Sequence, residues 1–193
     1  MNMNTFNPII KRIGFACKWA EINKKGEIVS AEGLNTGGTT MAWANRNQRS
    51  KVEEKIIDVA KTNIMNTHAL IKKVATLPAE LRMLRITSDM LSFYTHEDYT
   101  DFWQSTDVQN KLAHWFAPLG ETARANDVRL SFHPDQFVVL ASDRPEVVNK
   151  SIEEFEYHVD MARWMGYGKQ FQDIKINVHI AGRSEEHTSE LQS

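Results

Sequence analysis

Three histidines lie where the chain is expected to leave buried strands, and imidazole groups in such positions could bind a metal ion. His133 and His179 come at or near the ends of predicted strands 128–133 and 173–182, and His96 lies in a polar segment after another predicted strand. Imidazole is a common ligand for zinc, manganese and iron, so three such groups from separate strands could form an open metal site. The residue types alone leave a second interpretation open, because a strand-end histidine can instead be a packed, hydrogen-bonded residue.

An amide and an aromatic ring, Gln136 and Phe137, follow His133 closely and would project beyond the end of the strand. Such a pair could probe nucleic acid, with the ring wedged between bases and the amide contacting one of them. The alternative is an ordinary loop in which Phe137 packs back on Val138 and Leu140. Spacing alone favours the loop.

The other chemically active side chains carry weaker signals. Cys17 is the single cysteine, has no apparent base or metal partner, and fits a reducing compartment. Four further histidines fall inside predicted helices or in the last residues and are predicted to be structural or irrelevant: His68, His114, His158 and His187.

The elements that must position these groups alternate as β-α-β-α-β-α-β. Short apolar runs predict strands at 12–17, 81–87, 128–133 and 173–182, and helical spacing predicts helices at 47–76, at 108–125 and from Pro145. Alternation of this kind favours a parallel sheet with covering helices, in which the carboxyl ends of the strands meet at one edge.

We therefore predict an α/β fold consisting of about the first four β/α units of a (β/α)8 TIM barrel. A doubly wound sheet is the alternative, although no GxGxxG motif follows the first strand. Residues 20–45 are predicted to be a loop, and Pro118 is predicted to kink or break the second helix. The third helix is predicted to bury Val148, Ile152, Phe155, Val159 and Ala162.

Composition is that of an ordinary globular protein. The 193 residues carry a formal net charge of −2, which counts against a strongly basic nucleic-acid binder. The chain has no apolar run long enough for a membrane helix, and its first 20 residues lack the pattern of a secretory signal. We expect a cytoplasmic protein without membrane association.

The last eleven residues, RSEEHTSELQS, differ from everything before them. They lack apolar periodicity and resemble the translation of a common sequencing-library adapter. We expect residues 1–182 to form the N-terminal half of a barrel, and residues 183–193 to be an artefactual or disordered tail.

Five motifs stand out along the chain: RIGFAC near the start, LNTGGTT at 34–40, LRITS at 84–88, SFHPDQF at 131–137 and INVHIAG at 176–182. In these motifs and their order the chain resembles the UV damage endonucleases, a family of TIM-barrel DNA-repair enzymes related to the AP endonucleases. The resemblance extends over essentially all of residues 10–182. One departure is Ala181, where the family usually has glycine.

The resemblance implies a nuclease that nicks double-stranded DNA on the 5′ side of UV lesions, with no obligate protein partner. It implies divalent metal ions as cofactors, Mn²⁺ in the first place and Zn²⁺ or Co²⁺ as alternatives. The implied metal ligands are His96, His133 and His179. The implied contacts to DNA are Gln136 and Phe137 at the lesion, with Phe15 and Asn35 on the same face.

Two other interpretations remain open. A metal-dependent sugar isomerase or epimerase would share the barrel and the metal chemistry, although Phe137 and the aromatic segment 93–103 favour DNA. The chain could also be a non-catalytic fragment, because the family's remaining ligands come from later strands. Three histidines alone are not expected to assemble a catalytic cluster.

Overall fold

The computed structural model describes residues 12–135, 138–170 and 173–178. Gln136, Phe137, His179 and the tail 183–193, all named in the predictions above, lie outside the described residues.

The described part contains six strands and five α-helices. In chain order they are β1 (Phe15–Ala16), β2 (Ala20–Ile22), β3 (Ile28–Ser30), α1 (Met41–Ala44), α2 (Arg49–Ala75), β4 (Met83–Ile86), α3 (Thr100–Trp103), α4 (Thr106–Ala125), β5 (Arg129–Phe132), α5 (Pro145–Trp164) and β6 (Lys175–Ile176). Short 3₁₀ turns at Ala79–Leu81 and Glu97–Tyr99 precede β4 and α3. Within these ranges, no helix is long and apolar enough to cross a membrane.

Four strands form a parallel sheet in the order β1-β4-β5-β6, with registers such as Leu84 beside Leu130 and Phe132 beside Ile176. Apart from the β2–β3 hairpin, this order follows the chain without reversal. A doubly wound sheet reverses its strand order at a switch point, whereas a barrel winds in one direction. The observed order therefore confirms the predicted parallel α/β fold and favours the barrel.

The helices cover one side of the sheet because alternate strand residues are apolar. Leu84 and Ile86 on β4, and Leu130 and Phe132 on β5, are buried in the core formed with α2, α4 and α5. The residues between them, such as Arg85 and Ser131, face the opposite side, because successive side chains of a strand alternate. Polar side chains therefore line the surface that would be a barrel interior.

Helix α2 has the apolar spacing that the sequence predicted, and it packs mainly against α4. Helix α4 in turn approaches the end of α5 so closely that a Cβ on Gly120 would lie 1.9 Å from the carbonyl oxygen of Met165. Arg124 fixes this contact by donating to the same oxygen at 2.8 Å. Glycine is therefore required at this helix crossing.

The predicted loop over 20–45 is wrong, since it contains the antiparallel hairpin β2–β3 and helix α1. The turn of the hairpin is built on Asn23, whose side-chain oxygen accepts from the amides of Lys25 and Glu27, and on Gly26 at φ +82°. Each strand has only three residues, all exposed, so the hairpin lacks the buried alternation by which strands are recognised.

Of the kink or break predicted at Pro118, the break is wrong, because α4 continues through the proline to Ala125. Proline removes one hydrogen bond, to the carbonyl of His114, and normally disfavours a helix interior. Here Phe116 and Leu119, on either side of the proline, are both 1% exposed. Burial of these large side chains against the core offsets the missing bond.

The buried face of α5 differs from the predicted apolar stripe. Of the five residues predicted to be buried, Ala162 is buried, whereas Ile152 is 47% exposed. The residues that α5 does bury include Ser151, Tyr157 and His158. The helix faces the long loop after β4, whose backbone groups require hydrogen-bonding partners, and this explains its polar buried face.

Candidate functional site

His133 directly follows β5, at the carboxyl end of the parallel sheet. A guanidinium nitrogen of Arg85, on the adjacent strand β4, lies 3.3 Å from Nδ1 of His133. Because a guanidinium can only donate, Nδ1 is the acceptor in this contact. The main-chain oxygen of His133 accepts from the hydroxyl of Ser88 at 2.9 Å, so both the ring and the backbone of this histidine are held from the β4 side.

Arg85 brings a positive charge to this edge of the sheet. Its Nε is buried and has no hydrogen-bond partner among the described residues. Ser131 pairs with Arg85 in register, and Lys175 pairs with Ser131, so two basic residues flank a serine on the side of the sheet away from the helices. An anionic group entering from outside the described residues would find a donor there.

His96 is the residue before the 3₁₀ turn Glu97–Tyr99, which it caps. Its Nδ1 accepts from the backbone N–H of Asp98 at 3.3 Å and lies 3.7 Å from a carboxylate oxygen of the same residue. Its ring stands against Phe93 and Tyr99, at centroid distances of 6.4 and 6.1 Å. Aromatic contacts therefore hold the ring of His96 beside the loop.

His96 and His133, the two predicted ligands within the described residues, have a donor type that suits divalent metals, but they do not form a metal site by themselves. Within the described residues, no group of three His, Cys, Asp or Glu side chains could hold an ion. In both rings Nδ1 accepts a hydrogen bond, so a neutral ring carries its hydrogen on Nε2. Ligation through Nε2 would require that hydrogen to move to Nδ1. In His96 it would then face the carboxylate of Asp98, whereas in His133 it would face the guanidinium of Arg85, so ligation of His133 through Nε2 would require that contact to break.

The third predicted ligand, His179, lies outside the described residues. The last described part of the chain runs beside β5, since Phe132 pairs with Ile176 and the amide of Asn177 donates to the oxygen of Phe132 at 3.0 Å. The described end of β6 therefore lies at the same edge of the sheet as His133. Ligation by His96, His133 and His179 stays a prediction.

Phe15 and Asn35 have clear structural surroundings. Phe15 lies on β1, half-buried, with its ring edge-on to Trp19 at a centroid distance of 5.2 Å. The side chain of Asn35 exchanges hydrogen bonds with the backbone of Trp19 at 2.8 and 2.9 Å, and donates to Ser30 and Ala31. Asn35 thus fastens the base of the β2–β3 hairpin, and contact of either residue with DNA stays a prediction.

Sequence reasoning missed Asn63, which connects two loops from within α2. Its side-chain oxygen accepts from the amide of Gly37, and its nitrogen donates to the carbonyls of Gly37, Asp89 and Met90 at 2.8 to 3.2 Å. The residue is 1% exposed. A signal was available, because Asn63 falls at helical spacing within the apolar stripe of α2, where a polar residue needs partners.

Sequence reasoning also treated His158 as merely structural, although it reaches the site. The ring is fully buried, with Nδ1 at 2.6 Å from the carbonyl of Glu154 and Nε2 at 2.9 Å from the hydroxyl of Ser88. The pKa of His158 is lowered, and burial is the largest cause. The bond to the carbonyl of Glu154 acts in the opposite direction, whereas the electrostatic interaction with His133 lowers the pKa further. His158 is therefore a neutral group in contact with the residue that holds His133.

The comparisons with known proteins agree with this architecture. Residues 11–193 match the family model described as UV-endonuclease UvdE. A UV DNA damage endonuclease of Bacillus velezensis is 29% identical over 145 residues, covering 74% of this chain and 42% of the relative. The corresponding protein of Halalkalibacterium halodurans is 27% identical over 129 residues, covering 67% of this chain and 37% of the relative.

A solved structure gives the same result for the fold. The crystal structure of SacUVDE superposes with a TM-score of 0.63 at 25% identity, covering 86% of this chain and 48% of that protein. The chain thus spans less than half the length of these relatives, and its sheet corresponds to part of a TIM-barrel-like fold. Since the family model matches nearly the whole chain, this protein belongs to the UV-endonuclease UvdE family.

Proposed function

We propose that the complete protein is a metal-dependent endonuclease that nicks double-stranded DNA on the 5′ side of UV photoproducts. Membership of the UvdE family supports the proposal, and the relatives named above carry the name UV DNA damage endonuclease. The observation that carries it is the pairing of His133 with Arg85 at the carboxyl end of the sheet. Barrel enzymes have their active sites at this end, and the half-buried guanidinium of Arg85 suits a phosphodiester.

In this proposal His96, His133 and His179 contribute ligands for divalent metal ions, with Mn²⁺ preferred to Zn²⁺ or Co²⁺. A bound ion would supply an activated water and stabilise charge that develops on the phosphate. Ligands from outside the described residues must complete the set. Arg85 would attract the DNA backbone.

Recognition of the lesion is proposed for Gln136 and Phe137, which follow His133 in the chain. Phe15 and Asn35, on β1 and at the base of the hairpin, would contribute to the same DNA-facing surface. The proposed location is the cytoplasm, in keeping with a single cysteine. No described feature favours a sugar isomerase.

The test uses the complete gene product, recovered from its genomic locus, and a duplex carrying one UV photoproduct at a defined position. We expect Mn²⁺-dependent nicking immediately 5′ of the photoproduct, loss of nicking with a chelator, and little cleavage of the undamaged duplex. His133→Ala should abolish nicking, whereas His114→Ala, on the outer helix α4, should not. Replacing Gln136 and Phe137 with alanine should reduce the preference for damaged DNA. Equal cleavage of damaged and undamaged duplexes would refute lesion recognition.

A further inference from the structure

Helix α5 presents four polar side chains to the loop that follows β4, and we call these residues the α5 polar face: Glu154, Tyr157, His158 and Asp160. They contact the loop at both of its ends. Tyr157 and His158 bind the start of the loop at Ser88 and Leu91, and Glu154 and Asp160 bind its later part at Thr95 and Tyr94.

The contacts at the start of the loop connect α5 to His133 through Ser88. Tyr157 is 4% exposed, and its hydroxyl donates to the carbonyl of Ser88 at 2.8 Å and accepts from the amide of Leu91 at 3.0 Å. The hydroxyl of Ser88 lies 2.9 Å from both Nε2 of His158 and the carbonyl oxygen of His133. Two residues of α5 thus hold the serine that contacts the backbone of His133.

The protons in this group can be assigned. The carbonyl of Glu154 can only accept, so Nδ1 of His158 carries a hydrogen, and Nε2 of the neutral ring is an acceptor. Ser88 then has one hydrogen and two acceptors, Nε2 of His158 and the carbonyl of His133, and bonds one of them at a time. In either arrangement the hydroxyl of Tyr157 still donates to the carbonyl of Ser88 and holds the serine against the helix.

The contacts at the other end of the loop lie next to His96. The hydroxyl of Thr95, the residue before His96, donates to the carboxylate of Glu154. Tyr94 donates to Asp160 at 2.9 Å. One helix therefore anchors the loop beside His96 and, through Ser88, the strand end that carries His133.

We propose that the α5 polar face is a set of positioning residues that fixes the separation of His96 and His133. This inference rests on the proposed function, because it assigns a purpose to a spacing that matters only if both histidines serve one site. The alternative is that these residues form a hydrogen-bonded polar core whose bonds stabilise the fold and do nothing else. The positioning role and the stabilising role differ in whether loss of these bonds weakens metal affinity beyond its effect on stability.

The test compares two single-hydroxyl deletions in the complete gene product. Tyr157→Phe removes the hydroxyl that binds both Ser88 and Leu91 while keeping the ring. The matched control, Tyr167→Phe, removes the hydroxyl of a half-buried tyrosine whose ring packs on Arg124, away from the loop. Urea denaturation measures the stability that each variant loses.

Three readouts identify positioning. We expect Tyr157→Phe to weaken Mn²⁺ binding about 10-fold, the size seen when groups that orient ligands are lost, as measured by the electron paramagnetic resonance signal of free Mn²⁺. Hydrogen exchange should accelerate at residues 88–91. The kcat for irradiated duplex should fall while KM changes little, and Tyr167→Phe should leave all three unchanged.

The outcomes separate the two proposals. Equal Mn²⁺ affinity in Tyr157→Phe and Tyr167→Phe would overturn the positioning role, whether or not hydrogen exchange changes. If the wild-type protein binds Mn²⁺ and nicks irradiated DNA, that result leaves the proposed function intact. A wild-type protein that binds no metal and leaves irradiated DNA uncut would refute the proposed function, and the positioning role with it.

Discussion

Asn63 offers the sharpest test of how α2 holds the rim of the site. Its side chain is 1% exposed and makes four contacts to two loops, 34–40 and 88–91. Asn63→Asp keeps the shape but replaces the donating NH₂ group with an oxygen. The variant retains the bond from the amide of Gly37 and places a carboxylate against the carbonyls of Gly37, Asp89 and Met90.

The expected cost follows from these contacts. An amide nitrogen has two hydrogens, so two of the three donated contacts can be full bonds at one time. At about 1 kcal/mol for each net bond, Asn63→Ala loses about 3 kcal/mol with the bond from Gly37 included. Asn63→Asp should lose about 3–5 kcal/mol at pH 7, because a buried charge is left unpaired. For a chain of this size, 3 kcal/mol lowers Tm by about 6–12 °C.

The pH dependence provides a second check on Asn63→Asp. Burial against carbonyl oxygens raises the pKa of the introduced carboxyl above its unfolded value of about 3.9. A raised carboxyl pKa favours the folded state at low pH, and this advantage is lost as the pH rises through the folded pKa. The variant should therefore be closer to wild type at pH 5 than at pH 8.

Urea denaturation at both pH values, with wild type measured alongside, gives the free energies of unfolding. The control is Asn66→Asp on the same helix, where the half-buried amide donates a single bond to the carbonyl of Asn35. It should lose about 1 kcal/mol. A variant Asn63→Asp no less stable than Asn66→Asp, or equally destabilised at pH 5 and pH 8, would refute this account of Asn63.

Two further predictions concern the packing and protonation of the helices. Gly120→Ala should lower the free energy of unfolding by about 1–3 kcal/mol, since the new methyl would meet the carbonyl of Met165, while Gly37→Ala, with open space around it, should change stability by less than about 0.5 kcal/mol in denaturant melts. His158 has a lowered pKa, so its neutral burial contributes stability above about pH 6.5 that is lost as the pH falls through the folded pKa. The free energy of unfolding of His158→Gln should consequently change less than that of wild type between pH 7.5 and 5.5. The pKa of His68 is also lowered by burial, but His68 is present in both proteins, so its effect cancels in the comparison. Identical pH dependence of the two proteins would contradict the neutral state assigned to His158.

The parallel sheet and its long helices could be predicted because their signals are local. In α2, residues such as Ile56, Ile64 and Ile71 recur at helical spacing, and the structure buries them all. The runs around Leu84 and Leu130 predicted buried strands, which the structure pairs in register. The hairpin β2–β3 was missed because its exposed three-residue strands are defined by a turn and by Asn35, which lies outside it.

The candidate site likewise contains features that the sequence predicted and features that it did not. The sequence placed His133 at a strand end, since an apolar run stops there, and the structure agrees. It did not reveal that Arg85 faces Nδ1 of His133, because that contact joins residues 48 positions apart through the pairing of β4 with β5. The role of Asn63 was hidden for the same reason, since its partners lie 26 and 27 positions away.

Periodicity, strand ends and motif order, all readable along the chain, determined the family resemblance, the α/β class and the residues with metal-binding chemistry. Tertiary structure alone decided that the buried face of α5 contains polar residues, and which side chains hold His133. The physical reason is that apolar burial depends on the spacing of residues within one element, so it leaves a trace in the sequence. A buried hydrogen bond depends on the partner that another element brings to it, and only the folded chain specifies that partner.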